Sequence, residues 1–107
     1  MSWSIQKEDK YTLYTPEVTA ENDLIHAFKL LEASAHKIID ARSISFTQSL
    51  KNLVSGVYET HAEEQKSFIL VVKSKELMEE LEELFIVVPT LSEAIDYLYM
   101  EELERSL

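Results

Sequence analysis

No cysteine occurs among the 107 residues. Its absence removes disulfides, zinc–thiolate sites and thiol nucleophiles together, and fits a reducing compartment. Glycine is nearly absent as well, with Gly56 the one example. A phosphate cradle needs glycines where backbone N–H groups close on the ligand, so neither a dinucleotide loop nor a P-loop can be drawn. No G-x-S-x-G elbow surrounds any serine. Apolar runs last only a few residues, against the ~20 of a membrane helix. The N-terminal stretch Met1-Ser2-Trp3-Ser4-Ile5-Gln6-Lys7 lacks the apolar core of a signal peptide. The expected location is therefore cytoplasmic. Basic residues are scarce: ten Lys and Arg face twenty Asp and Glu, for a formal charge of −10. Such a surface repels phosphate backbones and anionic lipid. Nucleic acid and membrane are not expected partners, and a basic protein surface is.

What is present describes one folded unit over residues 1–107. Apolar residues at 46% are enough for a core at this length. Trp3/Ile5 and Tyr11/Leu13 alternate with polar residues around Lys7-Glu8-Asp9, the pattern of a hairpin. Leu24, Ile25, Ala27, Phe28, Leu31 and Ala35 fall at helical spacing over residues 20–35. A short buried strand over 37–41 follows. Phe46, Leu50, Leu53, Val54, Val57, Tyr58 and His61 predict a helix over 46–64, with Ser45 and Gln48 as its capping box. The run 67–72 is apolar enough to be covered on both faces. Ser74 is placed to cap a third helix, residues 85–88 form a last strand, and Thr90 with Glu93 begins a final helix. The order ββαβαβαβα predicts an α/β fold, a mixed, mainly parallel sheet carrying about four helices.

Chemistry-bearing residues are dispersed. His26, His36 and His61 lie on different elements, and no two share a metal-ligand spacing. No catalytic constellation stands out, and no cofactor or metal is expected. Two segments carry more information. The joint from Asp40 to Leu50 gathers Ser43, Ser45, Phe46, Thr47, Gln48 and Ser49 at a helix N-terminus, where negative charge is favoured. A phosphate there would add about −1.5 to −2 charges. The final helix has Leu91, Ala94, Ile95 and Leu98 on one stripe, while Tyr97, Tyr99, Met100, Leu103 and Leu107 spread beyond it. A helix apolar on more than one face lies deep in a core or meets a partner.

Residues 85–96 (Phe-Ile-Val-Val-Pro-Thr-Leu-Ser-Glu-Ala-Ile-Asp), followed by Met100-Glu101-Glu102-Leu103-Glu104-Arg105, resemble the C-terminal segment of small anti-sigma-factor antagonists of Bacteroidetes-type bacteria. These are STAS domains, and the opening hairpin also looks like their first strand pair. The resemblance implies a STAS-like fold and a non-catalytic, protein-binding role in bacterial transcription regulation. It also implies an anti-sigma factor kinase as partner. In that family a D-S-S-G or D-S-T-G motif opens the second helix, and its first serine is the phosphorylation switch. Aligned from Leu50, this chain places Phe46 at the aspartate, Thr47 at the switch, Gln48 next and Ser49 at the glycine. Thr47 alone keeps a hydroxyl and is the candidate for phosphorylation. Ser43, Ser45, Phe46, Thr47, Gln48 and Ser49 become the expected partner-binding residues. The alternatives are a homodimeric or higher-order scaffold module using the C-terminal helix, and a small enzyme with a site not recognised.

Overall fold

The computed structural model describes residues 2–107. Strands β1 (Trp3–Lys7) and β2 (Thr12–Pro16) form an antiparallel pair. Then follow α1 (Glu21–Lys29), β3 (Lys37–Asp40), α2 (Gln48–Glu63), β4 (Phe68–Val71), α3 (Lys75–Leu81), β5 (Ile86–Val88) and α4 (Leu91–Ser106). The five strands lie in chain order, β1-β2-β3-β4-β5, and every pair from β2 onward is parallel. Right-handed crossovers stepping always in one direction put their helices on one face of the sheet.

The side chains obey that geometry. Successive strand residues point to opposite faces. Ile39, Phe68 and Leu70 join Leu24, Phe28, Leu50, Val54 and Leu81 in one core beneath α1, α2 and α3. Ile38, Ile69, Val71 and Val88 form a second core with Ala94 and Leu98 of α4. The last helix therefore covers the face the crossovers leave bare. Strand β4 is buried at all four positions, as its unbroken apolar run predicts.

The helix caps are mostly local. Ser74 Oγ accepts from Leu77 N at 3.2 Å, and Thr90 Oγ1 accepts from Glu93 N at 3.1 Å. Each such cap contributes about 1 kcal/mol. Helix α2 ends differently. Gln65 takes φ 58°, its N–H bonds Ala62 O at 3.0 Å, and Lys66 N–H bonds His61 O at 2.8 Å. This is a Schellman closure, in which the left-handed position usually goes to glycine. The chain's glycine lies instead inside α2, where it costs about 1 kcal/mol relative to alanine.

Helix α1 is shorter than its apolar periodicity predicts, stopping at Lys29 rather than residue 35. Tertiary contacts take the carbonyls that a longer helix would use. The Trp3 indole N–H donates to Ala27 O at 3.0 Å, and its ring meets Phe28 edge-on at a centroid distance of 5.1 Å. Leu30 N and Leu31 N turn to Ala27 O and Phe28 O, tightening the last turn. The Lys37 ammonium then bonds the carbonyls of Glu32 and Ala35.

Candidate partner-binding surface

The joint from β3 to α2 begins at the carboxyl end of a parallel strand, where open α/β sheets most often place their sites. Arg42 holds Asp40 with a two-pronged clasp, Nε to Oδ1 and Nη2 to Oδ2, both at 2.8 Å. That hydrogen bonding holds the Asp40 carboxyl below its ordinary pKa. Ile44 then enters the core at 7% exposure, and its N–H closes a turn onto Ala41 O at 3.1 Å. Phe46 is half-buried and rests against the Phe85 ring, centroids 6.4 Å apart. With two apolar anchors the loop has a defined path, and Ser43, Ser45, Gln48 and Ser49 are left facing outward.

The helix starts two residues later than the Ser45–Gln48 box implies. Thr47 is the N-cap, and its hydroxyl oxygen accepts from Leu50 N at 3.2 Å. Leu50 is fully buried and fixes the register. Ser45 consequently lies outside the helix, next to the buried Ile44. Gln48 makes no capping bond and instead donates to Asn52 Oδ1 at 2.9 Å.

Thr47 is thus placed at the expected helix start, but its hydroxyl is committed twice. Besides accepting from Leu50, it donates to Glu21 Oε1, in the first turn of α1, at 2.9 Å. No sequence signal pairs Thr47 with Glu21, which is 26 residues away.

Beside the joint, the strand ends enclose an open hollow of about 570 Å³ lined by Thr15, Asp40, Arg42, Ser43, Lys73 and Pro89. Of the predicted residues only Ser43 reaches it. Arg42 and Lys73 bring positive charge there, on a chain otherwise rich in acids.

Two polar clusters lie elsewhere, and sequence reasoning found neither. His61, placed above in the periodic series of the second helix, is fully buried. Its Nδ1–H donates to Val57 O at 2.8 Å, and Nε2 accepts from Lys37 Nζ at 2.9 Å. Burial, and then the Lys37 charge, lower the His61 pKa. Burial likewise lowers that of Lys37, against an opposing pull from Glu32. The signal was available: His61 continues the buried Leu50–Val54 register, and Lys37 opens an apolar strand. The second cluster ties α4 to the amino ends of β3 and β4. Ser67 Oγ donates to Glu101 Oε1 at 2.7 Å and accepts from Arg105 Nη1 at 3.2 Å. His36 Nδ1 accepts from Ser67 N at 2.9 Å, and its Nε2 faces Glu102 Oε1 at 3.1 Å.

Among the described residues no buried side-chain nitrogen or oxygen lacks a hydrogen-bond partner, and no three acidic or histidine side chains are grouped to hold a metal. No helix there is long and apolar enough to cross a membrane.

No family model matches the chain, and no curated protein matches it closely. Solved structures do match. One is the crystal structure of an anti-sigma factor antagonist from Mycobacterium paratuberculosis, with a TM-score of 0.72 at 17% identity, over 91% of this chain and 92% of that one. The mixed five-stranded sheet with four helices is therefore the anti-sigma-antagonist, or STAS, fold that the sequence resemblance implies.

Proposed function

We propose that this chain is a single non-catalytic, cytoplasmic interaction domain of the anti-sigma-factor-antagonist kind, binding an anti-sigma-type regulatory protein through the β3–α2 joint. The observation that carries the reading is the joint itself, set in a STAS fold. Ile44 and Phe46 anchor it, Arg42 clasps its entry, and Ser43, Ser45, Gln48 and Ser49 are free to meet a partner. The titratable groups with shifted pKa values near the cores, Lys37, His61 and His36, are each occupied by internal bonds, which favours binding over catalysis.

Binding is not gated by the usual serine. Phosphate on Thr47 would lose the hydroxyl proton given to Glu21 and set a dianion against that carboxylate. A helix N-terminus attracts the phosphate, but Glu21 opposes it at hydrogen-bonding range.

The test is an affinity pull-down from the native cell, read by mass spectrometry, followed by titration of the recovered protein with variants. Ser45→Arg and Ser49→Arg change only outward side chains and should weaken binding at least tenfold with the fold intact. Recovery of an anti-sigma kinase-like protein whose affinity both variants leave unchanged would remove the joint as the interface.

A second reading rests on α4. Its inner face is packed, while Tyr99, Met100, Leu103 and Leu107 form an outward stripe, with Leu103 63% exposed. Self-association through that stripe would make the chain a scaffold module. Light scattering of the parent and of Leu103→Asp decides it: a monomeric parent ends this reading.

A further inference from the structure

Gly56, the only glycine, lies well inside α2. Nothing in the fold requires it. Its φ is not left-handed, and a Cβ built on it would meet no atom within 4 Å. Glycine weakens a helix interior, so the position carries a cost with no internal return. What a missing Cβ provides is closer approach for something outside.

The surroundings indicate what approaches. Gly56 forms part of a groove of about 460 Å³ between α1 and α2, with Phe28, Leu31, Leu53 and Val57 as its apolar lining. Along α2, Leu53, Gly56, Val57 and Thr60 recur at the three- and four-residue steps of a helix-contact stripe. The Thr60 hydroxyl is already satisfied, donating to Gly56 O at 3.0 Å. Leu31 also lines a second hollow of about 280 Å³, beside Ile5 and Leu30. Both of those are more than half exposed, at 51% and 59%. The apolar surface therefore continues from α2 past the end of α1 to the β1 edge.

Charge defines the flanks. Glu32 lines the second hollow, and Glu59 and Glu63 are exposed on α2, three residues beyond Gly56 and Thr60. Within the lining of the first groove itself Lys29 stands without an acidic residue, so the acids lie on its flanks, on a chain of net charge −10.

We propose that the α1–α2 groove is a second docking surface, taking an amphipathic helix of another protein. That helix sets a small residue on Gly56, apolar residues to either side and Lys or Arg along its flanks. The surface lies outside the β3–α2 joint and does not depend on it. A second copy of this chain is a poorer occupant, because two −10 surfaces repel and exposed Asp96 and Glu104 lie beside the outward residues of α4.

The experiment is an NMR titration of the isotope-labelled full chain with two synthetic helical peptides. They share one apolar face with a central alanine and differ only in flanks, Lys in one and Glu in the other. The Lys peptide should shift Phe28, Leu53, Gly56 and Val57, and bind at least tenfold more tightly than the Glu peptide. Gly56→Leu should lower that affinity at least tenfold while its thermal midpoint stays level or rises, separating a blocked groove from a damaged fold. Equal affinity for the two peptides, unchanged affinity in Gly56→Leu, shifts centred elsewhere, or no binding of either peptide would overturn the proposal.

Discussion

Replacing Lys37 with methionine tests the buried Lys37–His61 pair. Methionine keeps the apolar stem and removes the ammonium. Lys37 is 2% exposed and donates to Glu32 O, Ala35 O and His61 Nε2. Hydrogen bonds from a charged group contribute about 1.5–3 kcal/mol each, and an orphaned buried acceptor costs about 1–3 kcal/mol. His61 Nε2 is the acceptor at risk, since Glu32 and Ala35 are exposed residues whose carbonyls water can serve. Against this, the variant no longer carries a desolvated charge, which returns part of the loss. The expected net effect is a destabilisation of about 2–4 kcal/mol, read from urea unfolding at pH 7.5 with an unchanged slope. A second readout isolates the contact. The Lys37 charge helps hold the His61 pKa down, so NMR titration should show that pKa rising in Lys37→Met. A loss under about 0.5 kcal/mol, the usual range for a surface change, together with an unmoved His61 titration would refute the reasoning.

Other outcomes follow from the same contacts. Stability should fall between pH 7.5 and 5.5. His61 and His36 both titrate below their ordinary value when folded, so the unfolded chain takes up protons near 6.5 that the native one refuses. The slope is at most about 1.4 kcal/mol per pH unit for each histidine, and a flat urea midpoint across that window would contradict it. Gln65→Gly should stabilise by about 1 kcal/mol, since it relieves a left-handed φ at the α2 terminus. Gly56→Ala should add a similar amount, because its Cβ enters open space; thermal or urea unfolding checks both. Thr47→Val should cost about 1 kcal/mol by removing the cap to Leu50, read from the same unfolding curves.

The order of elements was legible because it rests on local features. Alternation marked the hairpin, an unbroken apolar run marked β4, and Ser74 and Thr90 cap the helices they precede. The errors sit where distant residues intervene. Helix α1 ends early because Trp3 of β1 and Lys37 of β3 take the carbonyls near its end. Helix α2 starts late because Ile44 enters the core before the chain can coil, and the capping role passes from Ser45 to Thr47. At the candidate site, the hydroxyls were visible but not what holds them. Thr47 meets Glu21 across two helices, and Lys73 and Pro89 reach the hollow only because β4 and β5 lie beside β3.

The strands pair in the order in which they occur in the chain. No strand has to be threaded between two that are already joined. During synthesis β3, β4 and β5 can be added one by one to a growing edge, each bringing the helix that shields one side. The other side waits. On that face Ile38, Ile69 and Val71 are covered by Ala94 and Leu98 of α4, which follows all five strands in the chain. A nascent chain halted before α4 therefore displays a flat aliphatic sheet to its surroundings, and chaperone demand and aggregation should concentrate in that interval.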